Sequence, residues 1–181
     1  YPNITDTFTG THENIRTHMS QLLEDLKDYA DHFSPHDCNN LLLSGNAGLG
    51  KTHAALAIAG VVLEKGYDVI YISCADFFSK IDSARYDNSS DAEILLQTAI
   101  AADLLIIDDL GTESITSLFI TTFYSLLNNR LGAKRPTIIT TNITNNDLFS
   151  KRYTEKISSR LSAFSPCVFL GKDIRIQKAS E

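Results

Sequence analysis

No apolar run in this 181-residue chain approaches the ~20 residues of a bilayer-crossing helix, so no membrane-spanning segment is expected. The opening residues, Tyr1-Pro2-Asn3-Ile4, lack the basic-then-apolar order of a secretory leader, and they lack an initiator Met. The expectation is a piece of a longer cytoplasmic protein whose N-terminal part is missing. Excess positive charge is absent as well. Lys and Arg number 16 against 22 Asp and Glu, giving a net charge of −6 and a pI of about 5.3. That balance excludes a domain that coats DNA by bulk charge and leaves room only for a local basic patch. Cysteine is sparse: Cys38, Cys74 and Cys167 lie far apart without metal-ligand spacing, and read as buried reduced thiols in or beside strands. There is no internal repeat and no low-complexity stretch. The length suits one domain and is too short for two full ones.

What the chain does have is alternation. Apolar positions at helical spacing run from Asn14 to Phe33, and Ser34-Pro35-His36-Asp37 ends them. Short, wholly apolar strands are expected at 40–44, 69–73, 104–108, 136–140 and 167–170. Between them lie helical stretches at 53–65, 75–102 (two helices with a polar break at 85–90), 117–131 and 144–163. Residues 1–12 are polar and turn-rich. Strands that are apolar throughout and alternate with helices predict a parallel sheet covered on both faces, a three-layer α/β fold.

Gly45-Asn46-Ala47-Gly48-Leu49-Gly50-Lys51-Thr52 matches G-x-x-x-x-G-K-[ST] at every fixed position, after a strand and before a helix that opens with His53. The glycines let successive backbone N–H groups form an anion-binding concavity, and the helix adds its positive end. Lys51 is placed to reach the β- and γ-phosphates of a nucleotide, and Thr52 to offer its hydroxyl to Mg²⁺. The bare alternative is a glycine turn joining strand to helix, which the full motif in its strand-to-helix context outweighs. Residues 45–53 are therefore the expected nucleotide-binding segment, with ATP and Mg²⁺ as cofactors.

Leu104-Leu105-Ile106-Ile107-Asp108-Asp109 is an apolar strand ending in two carboxylates, at the strand end that faces the ligand crevice in this fold class. Asp108 is the candidate metal partner, and Asp109 the candidate that polarises an attacking water. An ordinary solvated strand end is the competing reading. Glu113 is a weaker candidate, equally suited to the first turn of a helix. Asn142, closing Thr140-Thr141-Asn142, is placed to hold the water or the γ-phosphate, although Asn is also common in strand-ending turns.

These segments, followed by Ser159-Arg160-Leu161 and Gly171-Lys172-Asp173-Ile174-Arg175, together resemble the AAA+ ATPases of the DnaC/DnaI type, the bacterial replicative helicase loaders. The IstB-type transposition helpers share nearly the same pattern. The resemblance covers about residues 10–178 and implies a five-stranded AAA+ sheet with little or no C-terminal lid. It implies that Lys51 and Thr52 are the Walker A pair, Asp108 and Asp109 the Walker B pair, and Asn142 sensor 1. It makes Arg160 an arginine finger reaching a neighbouring subunit's ATP, and Arg175 a sensor 2 arginine. The second acid departs from the pattern, since most oligomeric P-loop ATPases carry Glu there. The implied partners are a replicative helicase met through the missing N-terminal region, single-stranded DNA, and further copies of the chain.

The region 75–100 corresponds to the extra helical insertion of the initiator and loader group, which faces single-stranded DNA in that family. Phe77, Phe78, Lys80, Arg85 and Tyr86 mix aromatic and basic side chains as a single-strand surface does. The two phenylalanines are equally good core residues. Rival readings of the whole chain are a small-molecule P-loop kinase and a nucleotide-dependent binding switch. A kinase usually carries an arginine-rich lid, and no insertion of that kind stands out.

Overall fold

The computed structural model describes residues 14–87, 89–144 and 146–174. Residues 1–12, Arg175 and Asn88 of the polar break lie outside the described residues. Five parallel strands, β1 (Leu41–Ser44), β2 (Val69–Ser73), β3 (Leu104–Leu110), β4 (Thr137–Thr141) and β5 (Ser165–Val168), form one sheet in the order β2-β3-β4-β1-β5. Helices α1 (Ile15–Asp31) and α2 (Lys51–Glu64) cover one face. Helices α3 (Cys74–Tyr86), α4 (Asp91–Ala101), α5 (Ser117–Gly132), α6 (Asn146–Arg152) and α7 (Glu155–Leu161) cover the other. Among the described residues no helix is long and apolar enough to cross a membrane.

The two-residue period of the strands divides the core between the layers. Leu41, Leu43, Leu104, Ile106 and Ile138 pack against Leu22 and Leu26 of α1 and Ala55 and Ile58 of α2. Leu105, Ile107 and Ile139 point the opposite way, onto Phe78, Leu96, Phe119, Phe123 and Ile157. Central strands buried on both sides leave no polar alternation to read, which is why they appear in the sequence as unbroken apolar runs. Helix ends follow local chemistry. The Asn14 carboxamide accepts from Arg16 N–H, and the Thr116 hydroxyl accepts from Phe119 N–H, each capping a helix.

Some expectations need correction. The helix expected across 144–163 is two, because Tyr153 turns into the core and Thr154 is extended (φ −71°, ψ 156°) before α7. The last strand begins two residues earlier than expected and ends at Val168. Pro166 hid it: proline breaks an apolar run, yet it is tolerated here because β5 is an edge strand. Helix α2 starts at Lys51, inside the phosphate loop rather than after it. Cys74 and Cys167 are buried, but Cys38 is only half-buried, its sulfur accepting from Ser34 N–H.

Arg130 ties the insertion helices to the sheet. It is fully buried in α5, and its guanidinium donates to the carbonyls of Ala99, Ile100, Ala102 and Pro136 and to the Thr137 hydroxyl. Three of those carbonyls belong to the C-terminal end of α4, where the helix dipole is negative. Burial pulls the guanidinium down to about 9, so it stays charged at neutral pH.

Candidate nucleotide site

The carboxyl ends of β1, β3 and β4 converge, and each delivers one polar segment. β1 runs into the phosphate loop. Gly50, at φ 90°, caps α2, and Gly48 has φ 74°. Both are left-handed backbone, which glycine adopts without the Cβ clash other residues suffer. The side of Gly48 where a Cβ would stand is filled by the Asp173 carboxylate, and Ile174 N–H donates to Gly48 O at 3.0 Å. Leu49 is buried as an anchor, Asn46, Ala47 and His53 are exposed, and Gly45 lies against the Phe169 backbone.

Lys51 is buried, and its ammonium donates to Gly45 O and Asn46 O at 2.7 Å each and to Asn142 Oδ1 at 2.9 Å. The loop lysine and the amide ending β4 are thus in direct contact across 91 residues of sequence. Thr52 Oγ1 donates to Asp108 Oδ1 at 2.9 Å. With its proton committed to the carboxylate, the Thr52 oxygen keeps its lone pairs for another partner. Thr140 Oγ1 donates to the same Asp108 oxygen at 2.6 Å, and the Tyr71 hydroxyl to Asp108 Oδ2 at 2.7 Å. A buried carboxylate beside a threonine hydroxyl is a set of hard oxygen donors, which fits Mg²⁺.

Asp108 and Asp109 take opposite environments because of a bulge. β3 pairs Ile107 with Ile139 and then Leu110 with Thr141, so two acids oppose the single Thr140. Thr140 Oγ1 also accepts from Asp109 N–H at 2.9 Å, fixing the bulge. Asp109 sits at φ 56°, a left-handed conformation that costs a non-glycine residue ~1–3 kcal/mol. Strict alternation would aim its side chain at the α3/α5 core, and the bulge turns it out to solvent instead.

Glu113 has a different setting from the helix-start role considered above. It is buried, four residues ahead of α5. Its Oε2 accepts from Gly111 N–H at 2.8 Å and from Cys74 Sγ at 3.4 Å. Its Oε1 accepts from Tyr153 OH at 2.7 Å and from Arg152 at 3.3 Å. Burial pushes its carboxyl up, but the bonds from Tyr153 and Gly111 outweigh that and hold it below the ordinary value. This cluster braces the loop after β3, and its hydrogen bonds tie Glu113 to Gly111, Cys74, Arg152 and Tyr153.

Arg160 stands apart from the cluster. From the last turn of α7 its Nε donates to Asn128 at 3.1 Å, and its guanidinium lies 5.6 Å from the Tyr124 ring centroid. All of these contacts are with α5. Phe77 and Phe78 are core residues packed edge-to-face, which removes them from the candidate single-strand surface. Lys80, Arg85 and Tyr86 are exposed.

The family model for the IstB-like ATP binding protein matches residues 19–157 of this chain. The chain belongs to the IstB-like ATP-binding family. The replicative helicase loader DnaC of Escherichia coli (strain K12) is 28% identical over 151 residues, which are 82% of this chain and 61% of that protein. The chain thus spans about three fifths of the length of the DnaC it matches. The crystal structure of the DnaC helicase loader shares the fold with a TM-score of 0.74 at 23% identity, over 84% of this chain and 90% of that one. The replication initiator DnaA bound to AMPPCP and single-stranded DNA gives 0.71 at 20%, over 87% and 49%. The architecture is that of the AAA+ P-loop proteins, as the motif order implied.

Proposed function

We propose that this domain binds ATP with Mg²⁺ and hydrolyses it as the nucleotide-driven part of a helicase loader acting on single-stranded DNA. The observation that carries the reading is the joining of three distant segments: Lys51 to Asn142, and Thr52 to Asp108 and Thr140. In this reading the N–H groups of residues 45–52 and the Lys51 ammonium hold the phosphates. Thr52 and Asp108 hold Mg²⁺, which when bound neutralises charge on the phosphate oxygens. Asp109, turned outward by the bulge, orients and polarises the attacking water, and Asn142 steadies it. Lys51 already holds that amide in place.

Arg160 completes the site of a neighbouring copy. Its contacts with α5 rather than with its own phosphate loop suit a finger that works between subunits. A guanidinium on the transferring phosphoryl group is worth ~10³–10⁵ in rate. Turnover should therefore climb faster than linearly with protein concentration and rise further when single-stranded DNA is added. Turnover per chain that is flat in concentration and indifferent to DNA would replace this reading with a kinase or a switch. The family match also favours a transposition helper of the IstB type. Retention of the domain by a transposase instead of a replicative helicase, with the full-length protein as bait, would select that reading.

A further inference from the structure

We propose that Tyr71 is a positioning residue for the metal-holding carboxylate of Asp108, its hydroxyl fixing the orientation in which Asp108 meets Mg²⁺. The inference rests on the reading of Thr52 and Asp108 as the metal side of the site.

β2 is an edge strand whose register sets Tyr71 beside Ile106 and Ser73 beside Asp108. Alternation places Tyr71 on the same sheet face as Asp108, one diagonal step back along the neighbouring strand. An aromatic side chain can cross that diagonal, and the phenol does so, ending 2.7 Å from Asp108 Oδ2. The two threonine hydroxyls both go to Oδ1. Among the described residues Tyr71 alone holds Oδ2.

Three hydroxyls thus occupy three of the roughly four lone-pair positions of the carboxylate, leaving one for the ligand side. A carboxylate gripped at one oxygen only can swing about its Cβ–Cγ bond. Mg²⁺ tolerates little of this, because it requires near-ideal octahedral geometry. Tyr71 is 43% exposed, so a water can take over its bond in part, without the fixed direction of a phenol.

The test is binding of a fluorescent ATP analogue to the whole chain across a Mg²⁺ titration, and separately in EDTA. For Tyr71→Phe, which keeps the ring, the Mg²⁺ concentration at half-saturation should rise about tenfold, the low end of what losing an outer partner of a metal ligand costs. Affinity in EDTA should match the wild type. A Mg²⁺ curve identical to wild type overturns the proposal. So does an equal loss with and without the metal, which marks a merely structural tyrosine. Thr52→Ala serves as the reference: if it also leaves Mg²⁺ dependence unchanged, the metal-side reading itself fails, whereas a response in Thr52→Ala alone removes only Tyr71.

Discussion

Glu113 shows how a carboxylate near a phosphate site can serve architecture. Four donors from three parts of the chain converge on it: Gly111, Cys74, and the Arg152-Tyr153 pair. Its folded pKa lies below the ordinary 4.5. A depressed carboxylate contributes stability that is present above its unfolded pKa and lost as pH falls through the folded one. Glu113→Gln should therefore destabilise the protein by about 1–3 kcal/mol at pH 7. The gap to wild type should narrow below about pH 4.5, where the unfolded carboxyl takes up its proton. Urea melts at pH 7 and pH 4 check this, and a gap that widens in acid would reverse the sign of the argument. Of the side chains joined at these strand ends, Lys51 and Thr52 stand out in the sequence through motif spacing, and Asp108 and Asn142 through the ends of apolar strands. Tyr71 and Thr140 do not. Their hydroxyls reach Asp108 only through a strand register and a bulge, which no local pattern in the sequence encodes.

Elements were legible where composition and spacing agree, as in α1, β2 and β3. They blurred where a single residue served the interior instead of its own segment. Tyr153 splits α6 from α7 by turning inward; Pro166 blurs β5 in a different way, as an exposed residue that disguises an edge strand. Arg130 is the strongest such case, since an arginine in a helix reads as surface and here is wholly buried. Its guanidinium fastens the end of α4 to the start of β4. Arg130→Met keeps much of the volume and removes every donor, leaving buried carbonyls unpaired. The expected loss is ~3–5 kcal/mol, measured by denaturant unfolding. Hydrogen exchange should show α4 loosening ahead of the rest of the sheet, and uniform loosening would mean that Arg130 does not tie that one helix specifically.

For the assembled molecule the decisive expectation concerns two damaged copies. Lys51→Ala removes the ammonium proposed to hold the phosphates and keeps Arg160, while Arg160→Ala does the reverse. Each alone should lose nearly all turnover. If the finger acts between subunits, mixing them should restore a substantial part of it, because an intact loop then meets an intact arginine. A mixture no better than the separate variants would remove the assignment of Arg160 to a neighbouring copy's site. The far end of the described chain bears on the same site by another route. Phe169 closes on Gly45, Leu49 packs against Gly171, and Ile174 bonds Gly48 while Asp173 fills the space beside it. Residues 169–174 are therefore fastened to the phosphate loop like a cord sewn along its rim. A displacement of residues 173–174 would therefore act directly on Gly48, through the Ile174 hydrogen bond and the Asp173 carboxylate packed beside it.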